Sequence, residues 1–313
     1  MENETDHSLL TMTQVEQSTV RKNPTTDAGE VLSADRIRSA SPSFETVNLR
    51  GMPIHAVTMK QTVDFLINSS LEKIGGWVVT PNLDILRRYS KSHSFRNLIA
   101  SSTLSVPDGM PLLWASRVKG APLPERVNGT DLMVHVCEAA AKSGQSVFFL
   151  GGNPGSAEHA GAELKGRYPG LEVAGCHCPD FGFEKDVENT AEIGEILAAS
   201  GADIVFVGLG SPKQDVLINM LRLKLPHVWW LGVGISFSFV AGELPRAPEW
   251  AKKSGLEWLY RLVAEPKRLA KRYLLQGIPF FAVTLLVSGF QRLRNGKSPK
   301  DNLAETIAEP NAT

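Results

Sequence analysis

The chain has 313 residues, of which 42% are hydrophobic, and this is enough to bury the core of one large domain or two small ones. A wholly disordered protein is therefore excluded. The 33 basic residues equal the 33 acidic residues, which argues against a nucleic-acid-binding protein that presents positive charge over its whole surface.

The neutral sum hides a separation of charge along the chain. Residues 1–46 carry eight acids and four bases, whereas residues 246–297 carry eleven bases and three acids. Polar residues dominate the first segment and its apolar residues follow no period, so we expect a disordered N-terminal tail over 1–46. The start also lacks the basic and apolar regions of a secretory signal.

The three cysteines, Cys137, Cys176 and Cys178, have no paired spacing and fit a reducing compartment, which favours the cytoplasm. Cys176-His177-Cys178 lies in one short stretch that cannot easily wrap a tetrahedral ion, and a second ligand pair at zinc spacing is missing. We therefore expect a plain loop or strand end there, and no metal site.

From Val47 onward, short apolar runs alternate with segments of helical length. The runs that predict strands are 77–79, 147–150, 204–207 and 228–231, and the clearest crossover helices are Ser156–Tyr168 and Val187–Ala199. Runs that are apolar on both faces are typical of buried parallel strands. The sequence therefore predicts an α/β fold over 47–245, a Rossmann-like, mostly parallel sheet flanked by helices, with ligands at the carboxyl ends of the strands.

Glycines follow two of these strands, as Gly151 and Gly152 and as Gly208 and Gly210. Backbone amides in such loops, with the N-terminus of the next helix, can approach a diphosphate. Neither loop completes G-x-G-x-x-G or the Walker pattern, and a structural turn explains either one equally well. Two such loops on successive units of one sheet favour a nucleotide.

Four polar residues near predicted strand ends have both a local and a chemical interpretation. Asp108 is either a turn or cap residue for a helix beginning near Met110, or a general base for an attacking hydroxyl. Thr80 and Asn82 are either caps of a helix over 83–90 or site residues. Gln214, after Pro212, is either a solvated helix side chain or part of a site.

Charge and apolarity combine in residues 246–296, which predict a basic, helical, membrane-associating appendage. Arg261 and Arg268 share one helix face if the helix continues through Pro266. The run Ile278–Ser288 is too short to cross a bilayer and fits an interfacial segment on anionic lipid. The alternative is a docking helix with a solvated basic face. Residues 297–313 are expected to be a disordered C-terminal tail.

Six ordered motifs within about residues 47–276 resemble the WecG/TagA/CpsF glycosyltransferases, glycosyltransferase family 26. They are Thr80-Pro81-Asn82, Pro107-Asp108-Gly109, residues 126–131, residues 208–214, Arg246-Ala247-Pro248, and residues 258–261 with residues 265–268. Their number and order make the resemblance far more specific than either glycine loop alone.

The resemblance implies an inverting, metal-independent transfer from a UDP-sugar to an undecaprenyl-diphosphate-linked sugar in bacterial surface polysaccharide synthesis. The enzyme would lie peripherally on the anionic inner face of the cytoplasmic membrane, with no cofactor and no nucleic acid as partner. Family substrates include N-acetylmannosamine, its uronic acid and glucose. The sequence leaves the sugar and the oligomeric state open, a homo-oligomer included.

By matching positions, the resemblance makes Asp108 the catalytic base, with Thr80, Asn82, Arg126 and Gln214 lining the site. A separate pair, Arg261 and Arg268, would close over the donor diphosphate. In such a transfer the charge that grows on the diphosphate would be met by Arg side chains and backbone amides.

The sequence departs from the family pattern at three positions. Ser238 stands where Asp is usual, Asp215 where Glu is usual, and Lys271 where Arg is common. Ser238 keeps a second function open, a non-catalytic regulator that binds a UDP-sugar or the membrane. A dinucleotide-dependent oxidoreductase is a third hypothesis, but the complete fingerprint that it needs is missing.

Overall fold

The computed structural model describes residues 40, 42–248, 250–251, 255–264 and 266–295. The tails that the sequence predicts as disordered lie outside these residues, except for 40 and 42–46. Of those, Phe44 packs edge-on against Phe65 at 5.6 Å between ring centroids.

An antiparallel hairpin opens the described chain, and the sequence analysis did not identify it. Strand β1, Thr46–Leu49, pairs with β2, Met52–His55, through a turn in which Arg50 and Gly51 have φ of 51° and 90°. Left-handed backbone at both central positions matches the twist of the two strands. Alternate side chains of the hairpin enter the core.

Six parallel strands form the central sheet in the order β4-β3-β8-β7-β5-β6. The strands are β3 (Gly76–Val79), β4 (Leu104–Ser105), β5 (Ser146–Gly151), β6 (Glu172–His177), β7 (Ile204–Gly208) and β8 (Trp229–Gly232). The predicted parallel α/β sheet is confirmed. The four strands expected from apolar runs are its four inner strands, whereas the edge strand β4 has only two residues and the edge strand β6 is partly exposed, so neither forms a long apolar run.

Nine helices described in residues 42–248 flank the sheet or connect its strands. They are α1 (Met59–Leu71), α2 (Leu83–Lys91), α3 (His93–Ile99), α4 (Met110–Lys119), α5 (Gly129–Ser143), α6 (Ser156–Arg167), α7 (Val187–Ser200), α8 (Lys213–Leu221) and α9 (Ser236–Val240). Two apolar clusters lie on opposite faces of the sheet, one containing Trp230 and the other Trp229, and both rings are fully buried.

The C-terminal appendage folds back onto the sheet domain. It consists of α10 (Glu257–Ala264), α11 (Pro266–Ala270), a π-helical stretch Lys271–Gly277 and α12 (Ile278–Asn295). Helix α12 packs along α4, where the rings of Trp114 and Phe281 lie 6.0 Å apart and Lys119 Nζ donates to Gln291 Oε1 at 2.9 Å.

The opposite face of α12 is apolar and exposed. Leu286, Phe290 and Leu293 of α12, and Leu275 of the π-helical stretch before it, are each 67% exposed or more at helical spacing, whereas Thr284 on the packed face is buried. The helical segment Lys271–Arg294 is longer than the apolar run Ile278–Ser288, and by length and composition alone it is long and apolar enough to cross a membrane. The expectation of a segment too short to cross a bilayer is therefore wrong for the helix that contains this run.

Candidate active site

The carboxyl ends of five strands bring the predicted site residues into one row. Asp108 follows β4, Thr80 follows β3, and the glycine loops follow β8, β7 and β5 in turn. Neighbouring strands lie about 4.8 Å apart, so the row from β4 to β5 is about 19 Å long. This edge can therefore hold an extended ligand lying across the strands.

The side chain of Gln214 ties two of these loops together. Its Oε1 accepts the N–H groups of Gly210 and Gly234, each at 3.1 Å, and the residue is 5% exposed. The alternative of a solvated helix side chain is thus wrong. A Cβ on Gly232 would lie 2.5 Å from Gln214 Nε2, so this close packing requires glycine. Gln214 positions the loops of β7 and β8.

Thr80 has a similar bridging position. It is buried, and its hydroxyl donates to the carbonyl oxygen of Gly232 at 3.2 Å, which joins the ends of β3 and β8. It does not cap the following helix. That cap is Asn82, whose Oδ1 accepts the N–H groups of Asp84 and Ile85 at 3.0 and 3.1 Å. The capping interpretation is therefore confirmed for Asn82 and leaves its Nδ2 donors for other partners.

The glycines after β5 and β7 pack closely against apolar side chains. A Cβ on Gly151 would lie 2.7 Å from Leu209 Cδ2, and one on Gly208 would lie 2.7 Å from the ring of Phe237. Gly152, with φ of 89°, donates its N–H to Gly208 O at 3.0 Å. A Cβ on Gly210 would meet no other described atom within 4 Å. Close packing thus explains Gly151 and Gly208, whereas the space beside the Cα of Gly210 is open.

A cavity of about 210 Å³ lies between this edge and the appendage. From the sheet domain, Asn82, Asp108 and Arg126 line it. The appendage and α4 supply the opposite wall, which includes the following mostly aromatic and apolar residues: Trp114, Trp258, Tyr273, Ile278 and Phe281. Thr80 and Gln214 lie outside this lining, in the adjoining part of the row.

Backbone hydrogen bonds hold Asp108 at the floor of the cavity. Its N–H donates to Pro81 O at 2.9 Å, and the N–H of Val127 donates to Pro107 O at 2.8 Å. The loops that carry Asn82, Asp108 and Arg126 are thereby fixed to one another. Asp108 precedes α4, whose N-cap residue is Gly109, so the alternative of Asp108 as that helix's cap is wrong.

Arg126 joins the sheet domain to the appendage. Its Nη1 lies 2.8 Å from Glu257 Oε2 at the start of α10, and both side chains are more than 80% buried. A second ion pair close by joins Arg246 to Asp131 at 2.5 Å. The position of the cavity's outer wall thus depends on ion pairs made by Arg126 and Asp131, both in the motif at residues 126–131.

Three guanidinium groups converge on Asp84 at one side of the cavity. Arg87 lies at 3.6 Å, Arg88 at 3.7 Å and Arg272 of the appendage at 3.4 Å from its carboxylate oxygens. The spacing i, i+3 and i+4 on the predicted helix 83–90 could have indicated the first two contacts. Sequence reasoning missed this cluster, as it missed Glu257.

Behind this cluster, Asp215 is completely buried near Arg88. Burial raises the pKa of Asp215 from 3.8 to about 6, opposed by the hydrogen bond from Ser211 and by the charge of Arg88. The carboxyl group therefore gains a proton in the folded protein well above its usual range. Asp215 lies in the first turn of α8, between Ser211 in the loop after β7 and Arg88 of α2.

A carboxylate approaches Ser238 from another position in the chain. Glu243 accepts a hydrogen bond from Ser156 Oγ at the N-terminus of α6, at 2.6 and 2.7 Å to its two oxygens. The hydroxyl of Ser238 lies 3.4 Å from that of Ser156. These hydrogen bonds, first that from Ser156, lower the pKa of Glu243. An acidic group thus remains beside the N-terminus of α6.

The predicted roles of Arg261 and Arg268 concern side chains that lie outside the described part of the molecule. Within the described residues, no three His, Cys, Asp or Glu side chains meet as a group that could hold a metal ion. Cys176 and Cys178 lie 3.6 and 3.5 Å from the carbonyl oxygens of Ala157 and Gly152. The expected strand end is confirmed for Cys176 in β6.

The chain matches one protein family, and it is similar to curated enzymes. A family model described as "Glycosyl transferase WecG/TagA/CpsF family" matches residues 47–295. The match therefore includes α12, beyond the segment 47–276 that carries the six motifs.

Two curated relatives have the same name, N-acetylglucosaminyldiphosphoundecaprenol N-acetyl-beta-D-mannosaminyltransferase. The protein of Bacillus spizizenii is 33% identical over 198 residues, which cover 62% of this chain and 73% of the relative. The protein of Bacillus subtilis (strain 168) is 28% identical over 244 residues, which cover 78% of this chain and 92% of the relative.

Loss of the Arg126–Glu257 pair should loosen the appendage. In Glu257→Gln we expect amide hydrogen exchange in α10 to rise about tenfold, because breaking a largely buried ion pair leaves one charge uncompensated. Exchange in β5 and β7 should stay unchanged. Arg167→Gln, which breaks an exposed pair with Glu163, is the matched control. Unchanged exchange in α10 would contradict the assigned role of the pair.

The buried carboxyl group of Asp215 should make the free energy of unfolding decrease as the pH rises. Because its folded-state pKa exceeds its unfolded value, the free energy of unfolding falls as pH rises from about 4 to 6. In Asp215→Asn we expect this fall to shrink by about 1 kcal/mol or more, since one pKa unit corresponds to about 1.4 kcal/mol. Urea titrations at several pH values measure it.

The control is Asp180→Asn, which removes an exposed carboxylate. Its stability should follow pH as that of the unaltered protein does. Equal pH profiles for the unaltered protein and Asp215→Asn would show that burial of this carboxyl has no such effect.

Proposed function

Because the chain belongs to the WecG/TagA/CpsF family of glycosyl transferases, we propose that it transfers a sugar from a UDP-sugar to an undecaprenyl-diphosphate-linked sugar. The observation that supports this most is the cavity that joins Asp108, Asn82 and Arg126 to an apolar wall. A polar floor suits the reacting sugars, and an apolar wall suits a lipid carrier.

The names of the two relatives support an N-acetylmannosamine donor and an acceptor that carries N-acetylglucosamine. In this proposal the UDP-sugar extends along the row of loops towards β5, with its sugar near Asp108. The space beside Gly210 is open there, while its own N–H donates to Gln214, and the N-terminus of α6 lies at the far end, beside the carboxylate of Glu243. Backbone amides and helix N-termini stabilise phosphate charge.

Asp108 is the proposed general base. Its carboxylate takes the proton of the acceptor hydroxyl while that oxygen attacks the anomeric carbon, and the bond from this carbon to UDP breaks on the opposite face. The new glycosidic bond therefore has inverted configuration. Loop hydrogen bonds at 2.8 and 2.9 Å around Asp108 support the fixed geometry that such a base needs.

The leaving diphosphate gains negative charge in this step, and the mechanism assigns its stabilisation to chain groups without a metal. The candidates are the side chains of Arg261 and Arg268 and the amides of the loops that Gln214 connects, apart from those of Gly210 and Gly234, which donate to Gln214 itself. Arg126 lines the cavity, and in this proposal it orients the donor sugar and the acceptor sugar.

We also propose that α12 lies on the inner membrane surface. One of its faces is packed on α4, which supports an interfacial helix over a spanning one, and the other presents Leu286, Phe290 and Leu293. Basic residues flank this face at both ends, as expected for contact with anionic lipid. The cavity borders this helix, so a lipid-linked acceptor can enter from the membrane.

Removal of the base should abolish transfer without loss of fold. In Asp108→Asn we expect UDP release in the presence of both substrates to fall about a hundredfold or more, the usual contribution of a general base. UDP binding and the unfolding temperature should be retained. Asp64→Asn, which breaks an exposed pair with Lys60, is the control.

The same assay tests the finer points of the proposal. Transfer should require both a UDP-sugar and a lipid-diphosphate sugar, persist in EDTA, and give a product whose linkage, read by NMR, is inverted. Full turnover by Asp108→Asn would remove this residue from the mechanism. Tight UDP binding without turnover on any lipid acceptor would favour the regulator instead.

Exposed residues of α12 should control membrane binding. Leu286→Glu is expected to weaken sedimentation with phosphatidylglycerol vesicles about tenfold, because burial of a leucine contributes about 1.5–3 kcal/mol. Leu223→Glu is the matched control, since Leu223 is 58% exposed and lies after α8, away from the appendage. Equal vesicle binding by both variants would count against the interfacial role of α12.

A further inference from the structure

Three guanidinium groups, those of Arg87, Arg88 and Arg272, converge on Asp84 at one side of the cavity. All three nitrogen to oxygen distances lie between 3.4 and 3.7 Å, longer than charge-assisted hydrogen bonds. A guanidinium has five N–H donors, and the Asp84 carboxylate takes only part of those of Arg272. The Nε of Arg272 is buried and has no hydrogen-bond partner among the described residues.

Two of these groups, those of Arg87 and Arg272, line the cavity itself. They come from different parts of the chain, Arg87 from α2 of the sheet domain and Arg272 from the appendage. Arg88 stands behind them, between Asp84 and the buried Asp215. A pair of planar guanidinium groups that face one space fits an anion with several oxygens, such as a diphosphate.

An apolar wall continues from this charged corner. Trp114 and Phe281 line the cavity, and so does Ile278, which is also 50% exposed on the outer surface of the appendage. The cavity therefore passes from basic side chains to the apolar face of α12. A UDP-sugar could place only its uracil ring on such a wall, whereas an isoprenoid diphosphate has a charged diphosphate and a long apolar chain that can follow the wall to the exposed face of α12.

We propose that Arg87 and Arg272 bind the diphosphate of the lipid-linked acceptor, with the first isoprenoid units along Trp114, Ile278 and Phe281. This inference rests on the proposed function. It separates the acceptor's diphosphate from that of the donor, which lies along the glycine loops. It also makes the acceptor site complete only when the appendage is packed on the sheet domain.

Direct binding tests the proposal without turnover. Farnesyl diphosphate is the probe for the acceptor and UDP the probe for the donor, each titrated by calorimetry. In Arg87→Gln and in Arg272→Gln we expect the affinity for farnesyl diphosphate to fall about tenfold or more, the usual effect of losing a charge-assisted hydrogen bond. The affinity for UDP should stay within about twofold. Arg272→Lys should recover part of the loss.

Two further variants separate binding from a structural role. Asp84→Asn removes the carboxylate that competes with the diphosphate and should raise the affinity for farnesyl diphosphate several-fold. Like Arg87→Gln, it breaks the ion pair between Arg87 and Asp84. A purely structural cluster would make both variants weaken binding and lower the unfolding temperature. Arg167→Gln, at an exposed ion pair on α6, should bind both probes normally.

The outcomes are distinct. Equal losses for UDP and farnesyl diphosphate would assign the cluster to the donor and overturn the proposal, as would unchanged binding of both. In turnover assays the KM for the lipid acceptor should rise while the KM for the UDP-sugar holds. If no UDP-sugar is transferred at all, the proposed function fails, but the binding titrations still decide whether this corner holds an isoprenoid diphosphate.

Discussion

The candidate site exists because the C-terminal segment returns to the carboxyl edge of the parallel sheet. Two kinds of contact hold this return, the apolar packing of α12 along α4 and the largely buried ion pair between Arg126 and Glu257 at 2.8 Å. Charged groups removed from water must be paired, so this contact permits little variation in the position of α10. Without it, Asp108 would lie in an open groove rather than at the floor of a cavity.

One consequence is that the site and the exposed apolar surface share the same element. Helix α12 contributes Phe281 to the cavity wall, while Leu286 and its neighbours point away from the domain. Any surface that binds the outer face of α12 therefore lies next to Ile278, which lines the cavity and is 50% exposed. A substrate carried in a membrane would have a short path from the bilayer to Asp108.

Local structural roles and proposed chemical roles fall on the same residues in this molecule. Asn82 caps α2 and also lines the cavity, because a cap at the end of a parallel strand stands at the edge where ligands bind. Gln214 and Thr80 act through the loops that they connect. Their buried hydrogen bonds to Gly210, Gly234 and Gly232 keep the row of strand ends in register.

The sequence by itself determined the α/β class, the four inner strands and the row of loops after them, because buried strands and glycine turns are local patterns. It also indicated Asp108, Asn82 and Arg126, which the fold brings together in one cavity. Only the tertiary structure decided that Glu257 pairs with Arg126, that Arg272 reaches Asp84, and that Glu243 approaches Ser238. Some of these partners lie far apart in the chain, and others lie in loops that show no regular spacing of apolar residues. Their contacts depend on how the appendage and the loops pack, which no local pattern of residues encodes.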